Sequence, residues 1–254
     1  MLTVRRPFYY NILMNEEFAR SEAFFGRENM QKLYSSRVAL FGVGGVGGAC
    51  AEALARSGVG SIDLFDGDKV SVSNINRQVV ALHSSVGRPK AEVMAERIRD
   101  INPACNVRAF NLFVDGDTIG GIDFSSYDCV LDAVDTVSAK VMIIERAKLC
   151  GVHVISCMGA GNKIDISAFK VADISKTSVC PLARAVRTAL KKRGIAGGVQ
   201  AVFSTEQPSG IVVEEEGSTR HIPASNAFAP VAAGLALARG AVLYLMDTEK
   251  GSDR

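Results

Sequence analysis

A glycine-rich turn near the start of the chain is the feature best able to do chemistry. It reads Gly-Val-Gly-Gly-Val-Gly-Gly over residues 42–48 and joins the apolar residues 38–41 to the helical-looking residues 49–56. Glycines between a strand and a helix let backbone N–H groups approach phosphate oxygens, and the helix dipole favours their negative charge. The turn therefore predicts a nucleotide phosphate site. The glycines assigned to it are Gly42, Gly44, Gly45 and Gly47.

An acid and a group of amides and cations follow the turn. Asp66 comes directly after the apolar residues 61–65 and is expected to hold the ribose hydroxyls of a nucleotide. A second segment, residues 73–78, supplies amides and a guanidinium, and a lysine follows it. The side chains assigned with Asp66 to the nucleotide site are Asn74, Asn76, Arg77, Gln78 and Lys90.

Two nucleotide classes fit the turn and its acid. The pattern G-x-G-x-x-G with an acid about 20 residues later more often marks a dinucleotide site. A nicotinamide site, however, has no need of the later cations. A triphosphate needs them, because a guanidinium and an ammonium neutralise charge that shifts when the α–β bond breaks. We therefore expect ATP, with a dinucleotide site or a solvated basic loop as the alternatives.

Strands and helices alternate along the chain and would position these side chains. This alternation predicts an α/β fold with a doubly wound, mostly parallel, Rossmann-like sheet, in which ligands bind at the carboxyl ends of the strands. The predicted strands are residues 38–41, 61–65, 107–111, 129–131, 152–157, 169–174 and 200–205. The predicted helices are residues 15–34, 49–56, 90–101, 139–149, 181–193 and 227–246.

Length and composition fit one catalytic domain. With 254 residues and 48% hydrophobic content, the chain can bury the core of a single α/β domain over residues 1–254. Within it we expect an N-terminal helical segment at 1–35, a nucleotide-binding core at 36–160, and an irregular substrate lobe with a C-terminal helix at 161–254. A loop or hairpin that can move is predicted at residues 207–225.

Five motifs in order resemble the ubiquitin-activating-enzyme-like adenylyltransferases. They are the glycine turn, the acidic strand end, the run at 73–78, the run Gly-Arg-Pro-Lys-Ala-Glu at 87–92, and Asp132 with Asp135. The resemblance covers about residues 15–160, and the order is more specific than any single motif. It implies that ATP activates a carboxylate as an acyl adenylate, with Arg77 and Lys90 as catalytic residues at the phosphates.

Three segments narrow this resemblance. Residues 87–102, 158–162 and 181–184 most resemble the tRNA threonylcarbamoyladenosine dehydratases of that superfamily. Such an enzyme would adenylate the carboxylate of threonylcarbamoyladenosine beside the tRNA anticodon. The carbamoyl oxygen of the same side chain would then close a ring, AMP would leave, and the net change would be loss of water. No enzyme nucleophile is needed for this sequence of steps.

A magnesium ligand is predicted at the carboxyl edge of the sheet. Asp132 ends an apolar strand there, and Mg²⁺ prefers carboxylate, phosphate and water oxygens. We predict that Asp132 ligates Mg²⁺ and acts in catalysis. The alternative is that Asp132 caps the following helix, but Asp135 is the stronger candidate for that role because it lies just ahead of residues 136–139.

Two further features follow from the resemblance. Arg20 aligns with an arginine that dimers of the superfamily insert into the ATP site of the neighbouring subunit, so a homodimer is the expected active species. A basic stretch after residue 181 is predicted to contact tRNA phosphates, with an exposed polar helix face as the alternative. Its residues are Arg184, Arg187, Lys191, Lys192 and Arg193.

Charge and cysteine content limit other functions. The net charge of +2 gives no general attraction to nucleic acid, so tRNA must be bound through a local patch, and DNA binding is not expected. Six cysteines form no Cys-x-x-Cys pair, which predicts no zinc, and the N-terminus has no secretion signal, which predicts a cytoplasmic protein. Pro230 and Arg239 interrupt the apolar residues 227–246, so membrane association is not expected.

Two other functions remain open. The same pocket could adenylate the C-terminal glycine of a ubiquitin-like sulfur-carrier protein, although the missing zinc cysteines and the basic helix argue against it. A sulfur-transfer protein remains a candidate partner. The chain could instead be a nucleotide-binding module without turnover. Cys180 lies directly before the basic stretch but has no activating base in the sequence, so we assign it no role.

Overall fold

A seven-stranded sheet organises the protein. The structure is a computed structural model, and it describes residues 16–213 and 222–247. The strands lie in the order β3-β2-β1-β4-β5-β7-β6; every neighbouring pair is parallel except β7 with the edge strand β6. Their bounds are β1 Arg37–Phe41, β2 Ser61–Phe65, β3 Asn106–Phe110, β4 Cys129–Asp132, β5 His153–Cys157, β6 Phe169–Asp173 and β7 Gln200–Ser204. The predicted doubly wound α/β fold is confirmed.

Helices cover both faces of the sheet, which explains why the central strands read as continuous apolar runs. The helices are α1 Ala19–Phe25, α2 Arg27–Ser35, α3 Gly45–Arg56, α4 Lys90–Ile101, α5 Val137–Leu149, α6 Pro181–Lys192 and α7 Ala229–Met246. One core contains Leu54 of α3, Met94 of α4 and Leu237 of α7. The other contains Ile143 of α5 and Leu190 of α6. The sheet therefore separates two apolar layers.

The connection between β3 and β4 contains no α-helix. It forms two short 3-10 turns, Ile119–Gly121 and Phe124–Ser126. The Phe124 ring is buried and stacks on Phe41 of β1 at 5.6 Å between ring centroids. This aromatic ring covers part of the sheet face that a crossover helix would otherwise cover.

The helix α7 is the one described helix that is long and apolar enough to cross a membrane, but most of it is buried inside the protein. It packs closely on α3, because a Cβ atom at Gly234 would lie 2.3 Å from the carbonyl oxygen of Val46. Its apolar character is accounted for by this packing.

The predicted loop at residues 207–225 contains a short hairpin. Strand β8, Val212–Val213, pairs antiparallel with β9, Ile222–Pro223. Residues 214–221 of the predicted loop lie outside the described residues.

Candidate functional site

The glycine turn packs so closely that two of its positions exclude a side chain. Gly42 has a φ of +86°, and a Cβ atom there would lie 2.7 Å from the carbonyl oxygen of Ala133. A Cβ atom at Gly47 would lie 1.8 Å from the carbonyl oxygen of Gly42. Only glycine fits at these positions. The turn thereby brings the end of β1, the residues after β4 and the start of α3 into one place.

The N-terminus of α3 is open for an anion. The helix begins at Gly45, and no side chain of the described residues caps it. A Cβ atom at Gly44 would meet only the Gln78 side-chain nitrogen, at an ordinary 3.7 Å. The missing side chain at Gly44 therefore leaves room above the turn. Free amides at a helix start favour phosphate oxygens.

Asp66 fixes the turn to the end of β2. Its Oδ2 accepts a hydrogen bond from the Val43 N–H at 2.6 Å, and its Oδ1 accepts one from the Asp68 N–H at 2.8 Å. Burial raises the pKa of Asp66, while these hydrogen bonds and the nearby Lys90 ammonium act in the opposite direction. Each carboxylate oxygen keeps a lone pair with which it can accept a ribose hydroxyl.

Lys90 lies beside Asp66, as the first residue of α4. Its ammonium is 2.8 Å from Oδ2 of Asp68, and its side chain is almost fully buried. Asp68 is about half exposed, so this pair lies at the rim of the site rather than in the core. The lysine is thus held within the group formed by the turn, Asp66 and Asp68.

The segment 73–78 packs against the turn. The Arg77 carbonyl oxygen would lie 3.3 Å from a Cβ atom at Gly45. The guanidinium of Arg77 is held by its Nη1, which donates to the Ser73 carbonyl and to Oδ1 of Asn76, each at 2.9 Å. Arg77 therefore lies next to the glycine turn with its side chain fixed within its own segment.

Two amides of this segment differ in their surroundings. Oδ1 of Asn74 accepts the Ser71 N–H at 3.1 Å, so this buried amide holds the local backbone. Gln78 is also buried, but its Oε1 has no hydrogen-bond partner among the described residues. Since buried polar atoms are nearly always paired, Gln78 is the better candidate for a ligand contact.

The position of Asp132 contradicts its predicted metal role. Its side chain is fully buried, and its oxygens accept hydrogen bonds from Lys140 Nζ at 3.2 and 3.1 Å, from Ser156 Oγ at 2.5 Å and from the Val134 N–H at 3.1 Å. Each of the two oxygens already accepts two hydrogen bonds. Asp132 therefore joins β4 to α5 and β5, and cannot ligate Mg²⁺ in this arrangement.

Asp135 is the exposed carboxylate of the pair. It lies after Val134, whose backbone nitrogen would be 3.0 Å from a Cβ atom at Gly42. The helix α5 begins at Val137 with Thr136 as its N-cap and no side-chain hydrogen bond at that cap. The predicted capping role of Asp135 is therefore not observed. Asp135 is exposed, and the backbone just before it packs on the glycine turn.

Lys140 and Ser156 were missed by sequence reasoning. Lys140 is fully buried in α5 among Ala139, Val141 and Ile143, and its Nζ also donates to the Cys157 carbonyl at 2.6 Å. A lysine on the apolar face of a helix is the signal that could have identified it, because a buried ammonium requires partners.

Some of the residues predicted to contact a second subunit or tRNA already have partners within the protein. Arg20 is exposed on α1. Arg187 donates to the Thr177 carbonyl at 2.9 Å, and Arg193 pairs with Glu145. These two arginines therefore stabilise the fold around α6. The exposed cations of the basic stretch that form no ion pair among the described residues are Arg184, Lys191 and Lys192.

Five of the six cysteines are buried, and Cys150 is exposed. Burial raises the pKa of Cys157 to about 12 and that of Cys50 well above its ordinary value. Cys180 is buried at the start of α6. Within residues 16–213 and 222–247, no group of three His, Cys, Asp or Glu side chains is placed to hold a metal ion.

Several known proteins resemble this chain in sequence and in structure. The sequence model of the ThiF family matches residues 18–247. The tRNA threonylcarbamoyladenosine dehydratase of Bacillus subtilis is 44% identical over 243 residues, which are 92% of this chain and 96% of the relative. The E. coli tRNA N6-threonylcarbamoyladenosine dehydratase in complex with ATP superposes with a TM-score of 0.81 at 35% identity, over 91% of this chain and 93% of that chain. The complex with AMP gives a TM-score of 0.83 at 33% identity, over 93% and 98% of the two chains.

Proposed function

The chain belongs to the ThiF family, as its motifs indicated, and from this membership we propose that it dehydrates threonylcarbamoyladenosine in tRNA at the expense of ATP. The observation that carries the proposal is the group formed by the open glycine turn, Asp66, Lys90 and the unpaired Gln78 amide at one end of the sheet. Its relatives over nearly the whole chain have that activity in their names, and one of them was solved with ATP.

The residues divide the reaction between them. The phosphates of ATP lie over the glycine turn and the ribose lies on Asp66, while Lys90 and Arg77 neutralise the phosphate charge. The substrate carboxylate attacks the α-phosphorus and pyrophosphate leaves. The carbamoyl oxygen then attacks the activated carboxyl carbon, a proton is lost, AMP leaves and the ring closes. Catalysis here consists of positioning and electrostatic stabilisation.

Magnesium fits this site through Asp135. Mg²⁺ bound to a nucleotide commonly uses one or two carboxylates together with phosphate and water oxygens. Asp135 supplies an exposed carboxylate at the carboxyl end of β4, whereas Asp132 is fully paired. When bound, the ion would neutralise phosphate charge. Asp135 replaces Asp132 as the proposed ligand.

Two surfaces complete the proposal. Arg20, exposed on α1, reaches the ATP site of a second subunit in a homodimer. The exposed cations Arg184, Lys191 and Lys192 on α6 contact tRNA phosphates. We propose a cytoplasmic location as well, because the proposed substrate is tRNA.

One experiment tests the proposal directly. The protein is incubated with ATP, Mg²⁺ and tRNA that bears the threonylcarbamoyl group, and the nucleosides are analysed by mass spectrometry. We expect an adenosine derivative lighter by one water, together with AMP, and no product with tRNA lacking the group. ATP–pyrophosphate exchange stimulated by a sulfur-carrier protein instead of tRNA would reject this function, as would hydride transfer from NADH.

A further inference from the structure

A third buried lysine, besides Lys90 and Lys140, forms no ion pair among the described residues. Lys163 is only 4% exposed, and its Nζ has no hydrogen-bond partner in the part of the chain that the structure describes. An ammonium removed from water costs free energy unless it is paired. The Nζ of Lys163 is thus a buried donor without an acceptor among the described residues.

Two carboxylates of this region accept hydrogen bonds from groups other than Lys163. Asp132 is held by Lys140 and Ser156. The oxygens of Glu206 accept the backbone N–H groups of Ile164 at 3.1 Å and Asp165 at 2.9 Å. Lys140 is paired with Asp132, whereas Lys163 forms no ion pair among the described residues, which leaves its positive charge for an anion to neutralise.

A cavity of about 220 Å³ is available for that anion. Its polar lining consists of Asn162, Lys163, Glu206, Ser209, Ser225 and Asn226. Oδ1 of Asn162 is also buried without a partner among the described residues, at a residue with a φ of 59°. The cavity is thus lined by two residues with unsatisfied buried atoms, one a donor and one an acceptor. A ligand with an anionic group and an N–H group carries the two kinds of polar group that these atoms lack as partners.

The cavity adjoins the nucleotide site. Nδ2 of Asn76 donates to the carbonyl of Ser225, a cavity residue, at 3.2 Å. Five residues later, Pro230 at the start of α7 would lie 2.9 Å from a Cβ atom at Gly45 of the glycine turn.

We propose that Lys163 binds the carboxylate of the acyl substrate before its adenylation, and that Asn162 accepts a hydrogen bond from an N–H of the carbamoyl group. This role rests on the proposed function, because a threonylcarbamoyl side chain carries both groups. The cavity then selects the modified nucleotide and holds its carboxylate beside the ATP site. Lys163 is a substrate-binding residue in this scheme, and the cation that prepares ATP is Lys90.

The test compares Lys163→Met with Lys170→Met, which removes an exposed lysine from β6. Binding of two probes is measured for each protein: tRNA that bears the threonylcarbamoyl group and the same tRNA without it. The wild type and Lys170→Met are expected to prefer the modified tRNA. Lys163→Met is expected to lose that preference by about tenfold to a hundredfold, the range for one hydrogen bond to a charged group, while ATP binding stays unchanged.

Three results would overturn the inference. The preference could survive in Lys163→Met, or affinity could fall equally for both tRNAs, which would assign the ammonium to a backbone phosphate. The thermal unfolding midpoint of Lys163→Met could also fall, whereas removal of an unpaired buried charge should leave it equal or higher. Product formation by the wild type is scored separately, so a failure of the proposed function is distinguished from a failure of this assignment.

Discussion

Lys140 holds both carboxylate oxygens of Asp132, at 3.2 and 3.1 Å, and neither side chain has any exposed surface. The pair connects α5 to the end of β4, directly beside the residues that pack on Gly42. A buried ion pair adds little stability compared with apolar residues, but loss of one partner leaves the other charge uncompensated. The pair therefore acts as a support for the site.

Removing the cation of this pair should lower the stability of the folded protein. Lys140→Met leaves a buried carboxylate without its ammonium, and we expect a loss of about 3–5 kcal/mol in the free energy of unfolding. Urea denaturation followed by circular dichroism measures it. The double variant Lys140→Met with Asp132→Asn removes both charges and should recover much of the loss. Equal stabilities of the single and double variants would show that the pair is not coupled.

Substitution of Asp135 should change the response to magnesium, and substitution of Asp132 should change stability. Asp135→Asn is expected to fold normally and to raise the Mg²⁺ concentration for half-maximal activity by about tenfold or more, as even supporting metal contacts do when lost. Asp132→Asn should instead lower the thermal unfolding midpoint. A magnesium titration of AMP formation checks the first effect. An unchanged titration for Asp135→Asn would remove it from the metal site.

Alanine at two glycines of the turn should have opposite consequences. At Gly44 the new Cβ atom meets only Gln78 at 3.7 Å, so Gly44→Ala should fold but weaken ATP binding by about tenfold, because the methyl group occupies the phosphate position. At Gly47 the Cβ atom would lie 1.8 Å from backbone, so Gly47→Ala should be destabilised by about 1–3 kcal/mol or more. Calorimetry with ATP and thermal unfolding give the two readouts. Normal ATP affinity in Gly44→Ala would contradict the phosphate assignment.

The fold was predictable because its signals are local. Strands such as β1 are continuous apolar runs between polar or glycine residues, and parallel strands buried on both faces have this appearance. The start of α3 was predicted four residues late, at 49 instead of Gly45. Glycine has a low helix propensity, so the glycines at 45, 47 and 48 gave no helix signal in the sequence. In the structure the first turn of α3 packs closely on Gly42 and Pro230.

The assignment of Asp132 failed for a tertiary reason. Two acids three residues apart look equivalent in sequence, and the buried one is determined by Lys140 from α5 and Ser156 from β5. Lys163 could not be found either, since Gly161 and Asn162 pack against residues 223 and 224, far away in sequence. Contacts between distant segments decide which charge faces water.

The cations at the phosphates should control turnover and not folding. Lys90→Ala leaves Asp68, which is about half exposed and can be solvated, and Arg77→Ala removes hydrogen bonds only within residues 73–77. Each variant should keep its thermal unfolding midpoint while AMP formation falls about a hundredfold to a thousandfold, the usual loss for one fixed electrostatic donor. Arg56→Ala, which removes an exposed pair with Glu52, is the control. Wild-type turnover in Lys90→Ala would reject the ATP site as described.

Salt dependence should separate the cations of α6 into two classes. Arg184 and Lys191 are exposed without an ion pair among the described residues, whereas Arg193, which follows α6 and is also exposed, is paired with Glu145. Each lysine or arginine that neutralises a phosphate contributes about 0.7–0.9 to the slope of log affinity against log salt concentration, because its contact releases counterions. Arg184→Gln and Lys191→Gln should each reduce the slope for tRNA binding by about that amount, and Arg193→Gln should reduce it less. Filter binding between about 50 and 200 mM salt spans the range in which this effect is large. Identical slopes in all variants would place the tRNA contact elsewhere on the surface.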